Sequence, residues 1–209
     1  MKSFSNASYA QKINNLDGIL QKNKNIALYQ RDVAYLDYEI QCIKDTDAQI
    51  RLSGTKGEVL EQLKEYFKTL SIELPQLEKD ISTILDTFNE VSKSNSFRLH
   101  LLTVNDGMCS KFHTDINDLR LICTYSGKGT YWLPEEAVNR FHYQNNEDVD
   151  KVVSQPELMQ QASAGDILIL KGVLFPDAKA IIHKSPPFNN GEEKRVLLRI
   201  DTNKFGIFI

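Results

Sequence analysis

The stretch FRLHLLTVNDGMCSKFHTDINDLRLICTYSGKGTYWL (97–133) is where the chain changes character. Within it, FRLHLLTV (97–104), LRLICTY (119–125) and GTYWL (129–133) are short runs rich in aliphatic and aromatic residues. Such side chains fit a pleated, half-buried surface, so the runs read as strands. DILIL (166–170), AIIH (180–183), RVLLRI (195–200) and FGIFI (205–209) continue the series. Turn formers stand between them in Ser126-Gly127-Lys128-Gly129, Ala164-Gly165-Asp166 and Asn189-Asn190-Gly191. Many short strands with no regular strand–helix alternation predict a sandwich or open barrel.

Upstream the hydrophobic period lengthens. Val33, Leu36, Ile40 and Ile43 recur at helical spacing, with Asp32 as a candidate cap and Ser53-Gly54 as a later interruption. A second stripe starts near Thr55 (Val59, Leu60, Leu63, Phe67, Leu70), and a third lies within 74–91 (Leu77, Ile81, Ile84, Leu85, Phe88). Helices of this kind cannot bury a stripe alone, so they are expected to pack on each other or on the sheet. Residues 26–30 (IALYQ) read as a short strand or extended segment, and 1–25 as a frayed leader or a short helix. The polar segment 92–96 marks the division into a mostly helical region, 1–92, and a β-domain, 93–209. The expected class is α+β.

Hydrophobic residues make up 41% and charged residues 25%, which implies a buried core rather than disorder. A net charge of -3 gives no global attraction for phosphate backbones or anionic membranes, so neither nucleic acid nor membrane is an expected partner. Cys42, Cys109 and Cys123 cannot complete a set of disulfides and are too widely spaced for paired-thiolate zinc. With no signal-like leader and no apolar run of roughly 18 residues, a cytoplasmic protein is expected. An exposed edge strand or helical stripe leaves monomer and homodimer both open.

The chemistry-bearing residues begin with Lys111-Phe112-His113-Thr114-Asp115. Residues two apart on an extended segment project from one face, so His113 and Asp115 point into one cavity. Imidazole plus carboxylate is two-thirds of a facial triad for non-haem iron; the alternative is a local salt bridge. His183 closes the run Ala180-Ile181-Ile182 and precedes Lys184-Ser185-Pro186-Pro187. It is placed to be the third ligand, or to donate one hydrogen bond at a sheet edge. On RVLLRI, Arg195 and Arg199 share a face with Leu197. An inward guanidinium needs an anion, whereas an outward one pairs with Asp or Glu at the surface. Arg120 is a substrate anchor or a solvent-facing charge, and Lys171 an anion contact or a barrel-rim charge. Tyr125, Tyr131 and Trp132 line a pocket or simply pack. Cys109 raises a zinc or thiol alternative, while His100 and His142 have no evident partners.

The blocks CSKFHTDINDLRLICTYSGKGTYWLPE (109–135), AGDILILKGVLFPDAKAIIHKSPP (164–187) and RVLLRID (195–201) resemble the DUF1826 family of uncharacterised bacterial proteins, as do NIALYQRD (25–32) and the region 80–88. More distantly, the chain resembles the iron and 2-oxoglutarate dependent oxygenases. That resemblance implies a double-stranded β-helix (cupin-like, jelly-roll) C-terminal domain with the helical region packed on it. It also implies metal ligands His113, Asp115 and His183, and Arg199, or less directly Arg195, as the 2-oxoglutarate anchor. Hydroxylation of a small molecule, amino acid or peptide with Fe(II) and 2-oxoglutarate is the implied activity. The setting departs from those enzymes at Lys171-Gly172 and His183-Lys184-Ser185-Pro186-Pro187, so the triad is better supported than the co-substrate. The alternative is a non-catalytic, cupin-like protein that handles Zn or Fe.

Overall fold

In the computed structural model, residues 3–105, 108–145, 149–188 and 194–202 are described. The strands are β1 (Ala7–Ala10), β2 (Ile26–Tyr29), β3 (Gln49–Gly54), β4 (Phe97–Val104), β5 (Leu119–Ser126), β6 (Tyr131–Trp132), β7 (Gln160–Gln161), β8 (Ile167–Lys171), β9 (His183–Lys184) and β10 (Arg195–Thr202). Seven of them form a large sheet in the order β1-β2-β8-β5-β10-β4-β3, antiparallel except at β1–β2. The small sheet runs β7-β6-β9. His113 extends it beyond β9: its N–H donates to the His183 carbonyl at 2.9 Å and its carbonyl accepts from His183 N–H at 3.0 Å. From β4 onward the chain alternates between sheets, crossing at His113, β6–β7 and β9 and returning at β5, β8 and β10. This winding is the double-stranded β-helix. FGIFI lies outside the described residues.

The helices are α1 (Asp37–Asp45), α2 (Lys56–Thr69), α3 (Pro75–Ser92), α4 (Arg140–Gln144) and α5 (Val149–Val152). A capping box starts α2, with Thr55 accepting from Glu58 N–H and Glu58 accepting from Thr55 N–H. At the start of α3, Leu74 offers no side-chain cap. The Glu39 carboxylate on α1 caps it instead, accepting from Gln76 N–H at 3.1 Å and Leu77 N–H at 2.7 Å. The stripe Leu77, Ile81, Ile84, Leu85 and Phe88 is fully buried, each side chain contributing roughly 1.5–3 kcal/mol by leaving water. Phe88→Ala would cost about 3–5 kcal/mol.

The division expected near residue 93 falls between α3 and β4, and both sides of it contribute strands and helices. β1, β2 and β3 all come from the N-terminal region and join the large sheet. QIRLSG, which contains the expected interruption, is the edge strand β3. Strand alternation then divides two cores. Leu121, Cys123, Ile167, Ile169, Val196, Leu198 and Ile200 face the helices. Ile122, Leu168, Leu170 and Leu197 face the small sheet, packing with Trp132 and Ile181. The face of β10 that carries Leu197 also carries Arg195, Arg199 and Asp201, which aims all three between the sheets.

Candidate metal centre

The H-x-D segment and β9 meet at one end of the two sheets. One ligand atom each from His113, Asp115 and His183 lies within 4.8 Å of the others. His183 Nε2 is 3.4 Å from Asp115 Oδ2, and His113 Nε2 is 3.8 Å from Asp115 Oδ1. Asp115 and His183 are buried and His113 is half-buried, so the cluster opens to solvent along one side. The loop after Asp115 is fastened to the end of β8: Val173, Gly172 and Leu174 N–H groups donate to the carbonyls of Asp115, Asp118 and Asn117. Gly172 permits this approach, because a Cβ there would stand 2.2 Å from the Asn117 carbonyl oxygen.

Hydrogen bonds assign the imidazole tautomers. His113 Nδ1 lies 2.9 Å from the Lys111 carbonyl and His183 Nδ1 lies 3.3 Å from the Ile181 carbonyl. A carbonyl only accepts, so both Nδ1 atoms carry the proton and both Nε2 lone pairs face the cluster. Burial pushes the His183 pKa down to about 4, keeping it neutral at physiological pH. Asp115 Oδ1 is paired with Arg120 Nη1, while Asp115 Oδ2 is buried with no hydrogen-bond partner. Two imidazoles and a carboxylate with ligand atoms within 4.8 Å of one another, one carboxylate oxygen being unpartnered, fit a divalent metal ion.

The other expected site residues divide. Arg120 neither reaches into open space nor faces solvent: its guanidinium is held between Asp115 and Asp201, with Nε 2.5 Å from Asp201 Oδ1. Burial lowers the Arg120 pKa, but the two carboxylates outweigh it and the net shift is upward. Arg199 contacts the same aspartate, Nε to Oδ2 at 3.2 Å, and donates from Nη2 to His100 Nδ1 at 2.8 Å. Burial lowers the Arg199 pKa, and Asp201 only partly offsets it. His100 therefore does have a partner: it sits directly across from Arg199 in the β4–β10 ladder. Burial, reinforced by Arg199, pushes its pKa down to about 4, which leaves Nδ1 free to accept.

Arg195 is six residues from Asp201 along β10, about 20 Å at roughly 3.3 Å per residue, and donates to the Lys128 carbonyl. Lys171 is on the opposite face: in phase with Ile167 and Ile169, it donates to the Gln21 carbonyl at 2.9 Å and lies over the Phe175 ring. It contacts no ligand space because β8 alternation turns it toward the helical layer. Tyr125 also points there, donating to Asp80, and Trp132 packs edge-on against Phe4. Cys109 is exposed and is not in the ligand cluster.

Asp201 and Asn117 were not singled out by sequence reasoning. Asn117 donates to Asp201 Oδ1 at 3.0 Å. The available signal for Asp201 was its phase: an acid two residues after an inward Arg shares that face and is its nearest neutralising group.

A family model described as "Protein of unknown function (DUF1826)" matches residues 10–201. The chain belongs to the DUF1826 family. No curated protein matches the sequence. Among solved structures, this DUF1826 chain is similar to dioxygenase for auxin oxidation 1 from Arabidopsis thaliana, solved as a 2-oxoglutarate binary complex. The identity is 8%, with 95% of this chain and 92% of that one covered and a TM-score of 0.53. It is also similar to a Pseudomonas putida prolyl-4-hydroxylase at 10% identity, 96% and 98% coverage and a TM-score of 0.52. At these identities the likeness is one of fold, and it extends over nearly the whole chain: helices and sheets together make the architecture these oxygenases share.

Two apolar side chains next to the cluster are exposed. Ile116, the residue after Asp115, is 80% exposed, and Val173, bonded to the Asp115 carbonyl, is 51% exposed. No helix among the described residues is long and apolar enough to cross a membrane.

Proposed function

We propose that this DUF1826 protein is an Fe(II)- and 2-oxoglutarate-dependent oxygenase acting on a small molecule, amino acid or peptide. One observation carries the reading: buried Asp115 Oδ2 has no hydrogen-bond partner and lies 3.4 Å from His183 Nε2, with His113 Nε2 3.8 Å from the other oxygen of the same carboxylate. Fe(II) and 2-oxoglutarate, when bound, supply O2 activation coupled to oxidative decarboxylation to succinate. The chain's own residues then have separable tasks. His113, Asp115 and His183 hold the metal and leave coordination positions open, as oxygenase chemistry of this kind requires. Arg199 takes the distal carboxylate of the co-substrate. It lies two residues from Asp201, about 7 Å along the strand, whereas Arg195 is too remote. Arg120 is already saturated by two carboxylates, while Arg199 shares one of them and otherwise donates to a neutral imidazole, so an added anion benefits Arg199 most. The exposed Ile116 and Val173 exclude water at the rim and receive an apolar part of the substrate.

Anaerobic addition of Fe(II) and then 2-oxoglutarate tests the proposal. A weak visible charge-transfer band is expected, and it is lost in His113→Ala. Metal binding without the band removes the co-substrate; absence of both removes the metal. A second reading, a non-catalytic cupin-like barrel handling Fe or Zn, is favoured by the engagement of Arg199 with His100 and Asp201. It expects metal affinity with no succinate formation from any candidate substrate.

A further inference from the structure

The three ligands and Arg199 leave the burial of their neighbours unexplained. Burying a guanidinium is costly unless carboxylates in good geometry meet it. Here the charged groups stand in one unbroken line. His100 accepts from Arg199, Arg199 contacts Asp201 Oδ2, Asp201 Oδ1 accepts from Arg120 Nε and Asn117 Nδ2, and Arg120 Nη1 is paired with Asp115 Oδ1. The line ends on the Asp115 carboxylate, whose second oxygen has no hydrogen-bond partner; Asn117 Oδ1 and Arg199 Nε along the line also lack one.

We propose that Arg120 and Asp201 are positioning residues that hold Asp115 as a one-oxygen metal ligand. A carboxylate can offer a metal one oxygen or both. A charge-assisted bond to Arg120 weakens Oδ1 as a donor, so Oδ2, which has no hydrogen-bond partner, is the oxygen offered, and a coordination position stays open for substrate. Arg120 is kept in that pose by Asp201 at its Nε, so Asp201 acts on the metal through Arg120 without touching any ligand. Partners of metal ligands typically change affinity by about 10–100-fold when lost. Arg120→Lys keeps the charge but loses the fork that joins two carboxylates. In Asp201→Asn the single oxygen takes the place of Oδ1 or of Oδ2, so either Arg120 or Arg199 meets an amide NH2 instead of an acceptor.

The inference rests on the metal reading above, and Co(II) titration separates the two. The full chain is titrated with Co(II), following the visible d–d bands, for wild type, Arg120→Lys, Asp201→Asn and the double variant; circular dichroism of the metal-free proteins reports folding. Each single variant is expected to raise the Co(II) Kd about tenfold and to change the band shape, because Asp115 gains a second donor oxygen. The double variant is expected to be no worse than the poorer single one, since both break the same line. Should Asp201→Asn fail to fold, the band shape of Arg120→Lys alone carries the test. Unchanged bands and a Kd within about twofold of wild type overturn the proposal, as do additive losses in the double variant. If wild type itself binds no Co(II), the metal reading falls rather than the positioning role.

Discussion

The large sheet buries an arginine–carboxylate network on each face, and the two differ in one respect. On the helix face, Arg31 holds Asp80 with both terminal nitrogens, Tyr35 and Tyr125 donate to the same carboxylate, and Arg31 Nε donates to the Gly165 carbonyl. Both Asp80 oxygens are engaged. On the other face, the line from His100 to Asp115 ends on an oxygen with no hydrogen-bond partner. Similar burial and similar residue types thus give a closed network that docks a helix and an open one that ends on an unpaired carboxylate oxygen. An unsatisfied buried acceptor costs about 1–3 kcal/mol, so its persistence points to a group that completes it.

Breaking the closed network is expected to have the largest effect on folding. Asp80→Ala leaves Arg31 buried without its counter-ion and should lower stability by about 3–5 kcal/mol in urea or thermal unfolding. Co(II) affinity of the folded fraction should stay unchanged, since Asp80 lies on the helix side of the sheet. A matching loss of metal affinity would mean that the two faces are one unit.

Completing the open network comes next. Co(II) at about 100 times its Kd should stabilise the protein by about 2.7 kcal/mol, raising the Tm by roughly 5–10 °C for a chain of this size. His183→Ala should abolish that increment while changing metal-free stability far less than Asp80→Ala does. An increment that survives His183→Ala would put the cation elsewhere.

Acid distinguishes the networks more gently. Burial alone would raise the Asp80 pKa, but Arg31 and the two tyrosine hydroxyls outweigh it and hold it below its ordinary 3.8. A carboxyl whose folded pKa is depressed contributes stability that is fully present above the unfolded value and lost as pH falls through the folded one. The stability gap between wild type and Asp80→Asn should therefore be constant above about pH 5 and shrink below 3.8. A gap independent of pH would show that Asp80 is not held ionised by the network.

How far residues announced these networks differs by face. The H-x-D spacing and the terminal position of His183 were readable in the sequence, and the structure brings these three side chains together. The helices were readable from their stripes, and α3 (Pro75–Ser92) lies one residue from the expected 74–91 at each end. Asp80 sits within that stripe, three residues after Leu77 and four before Ile84, and an acid on a buried helical face signals an inward cation. Its partner Arg31 lies 49 residues away in a connecting segment, a pairing that no local period encodes. β3 was hidden for a different reason: it is an edge strand whose alternate residues are exposed, so its pattern is half polar and ends in Ser53-Gly54. Arg120 and Lys171 show what alternation leaves out: it gives the face of a residue but not what already occupies that face, here Asp115 and Asp201 for Arg120 and the Gln21 carbonyl for Lys171.

Lys171 gives the smallest expected effect and the sharpest check on which face is which. Its ammonium is buried against the Gln21 carbonyl and the Phe175 ring, with no carboxylate partner among the described residues, and burial pushes its pKa down to about 8. A lysine whose folded pKa lies below the unfolded 10.5 makes stability rise with pH between those two values, because only the unfolded chain is then protonated. Lys171→Met removes both the desolvation cost and one hydrogen bond, so the net change at neutral pH should stay within about 1 kcal/mol. The rise in stability above about pH 8 should vanish with it. Co(II) affinity and the 2-oxoglutarate band should be untouched, as the side chain points into the helical layer. A loss of either would bring Lys171 back to the site and would mean that the faces of β8 are exchanged.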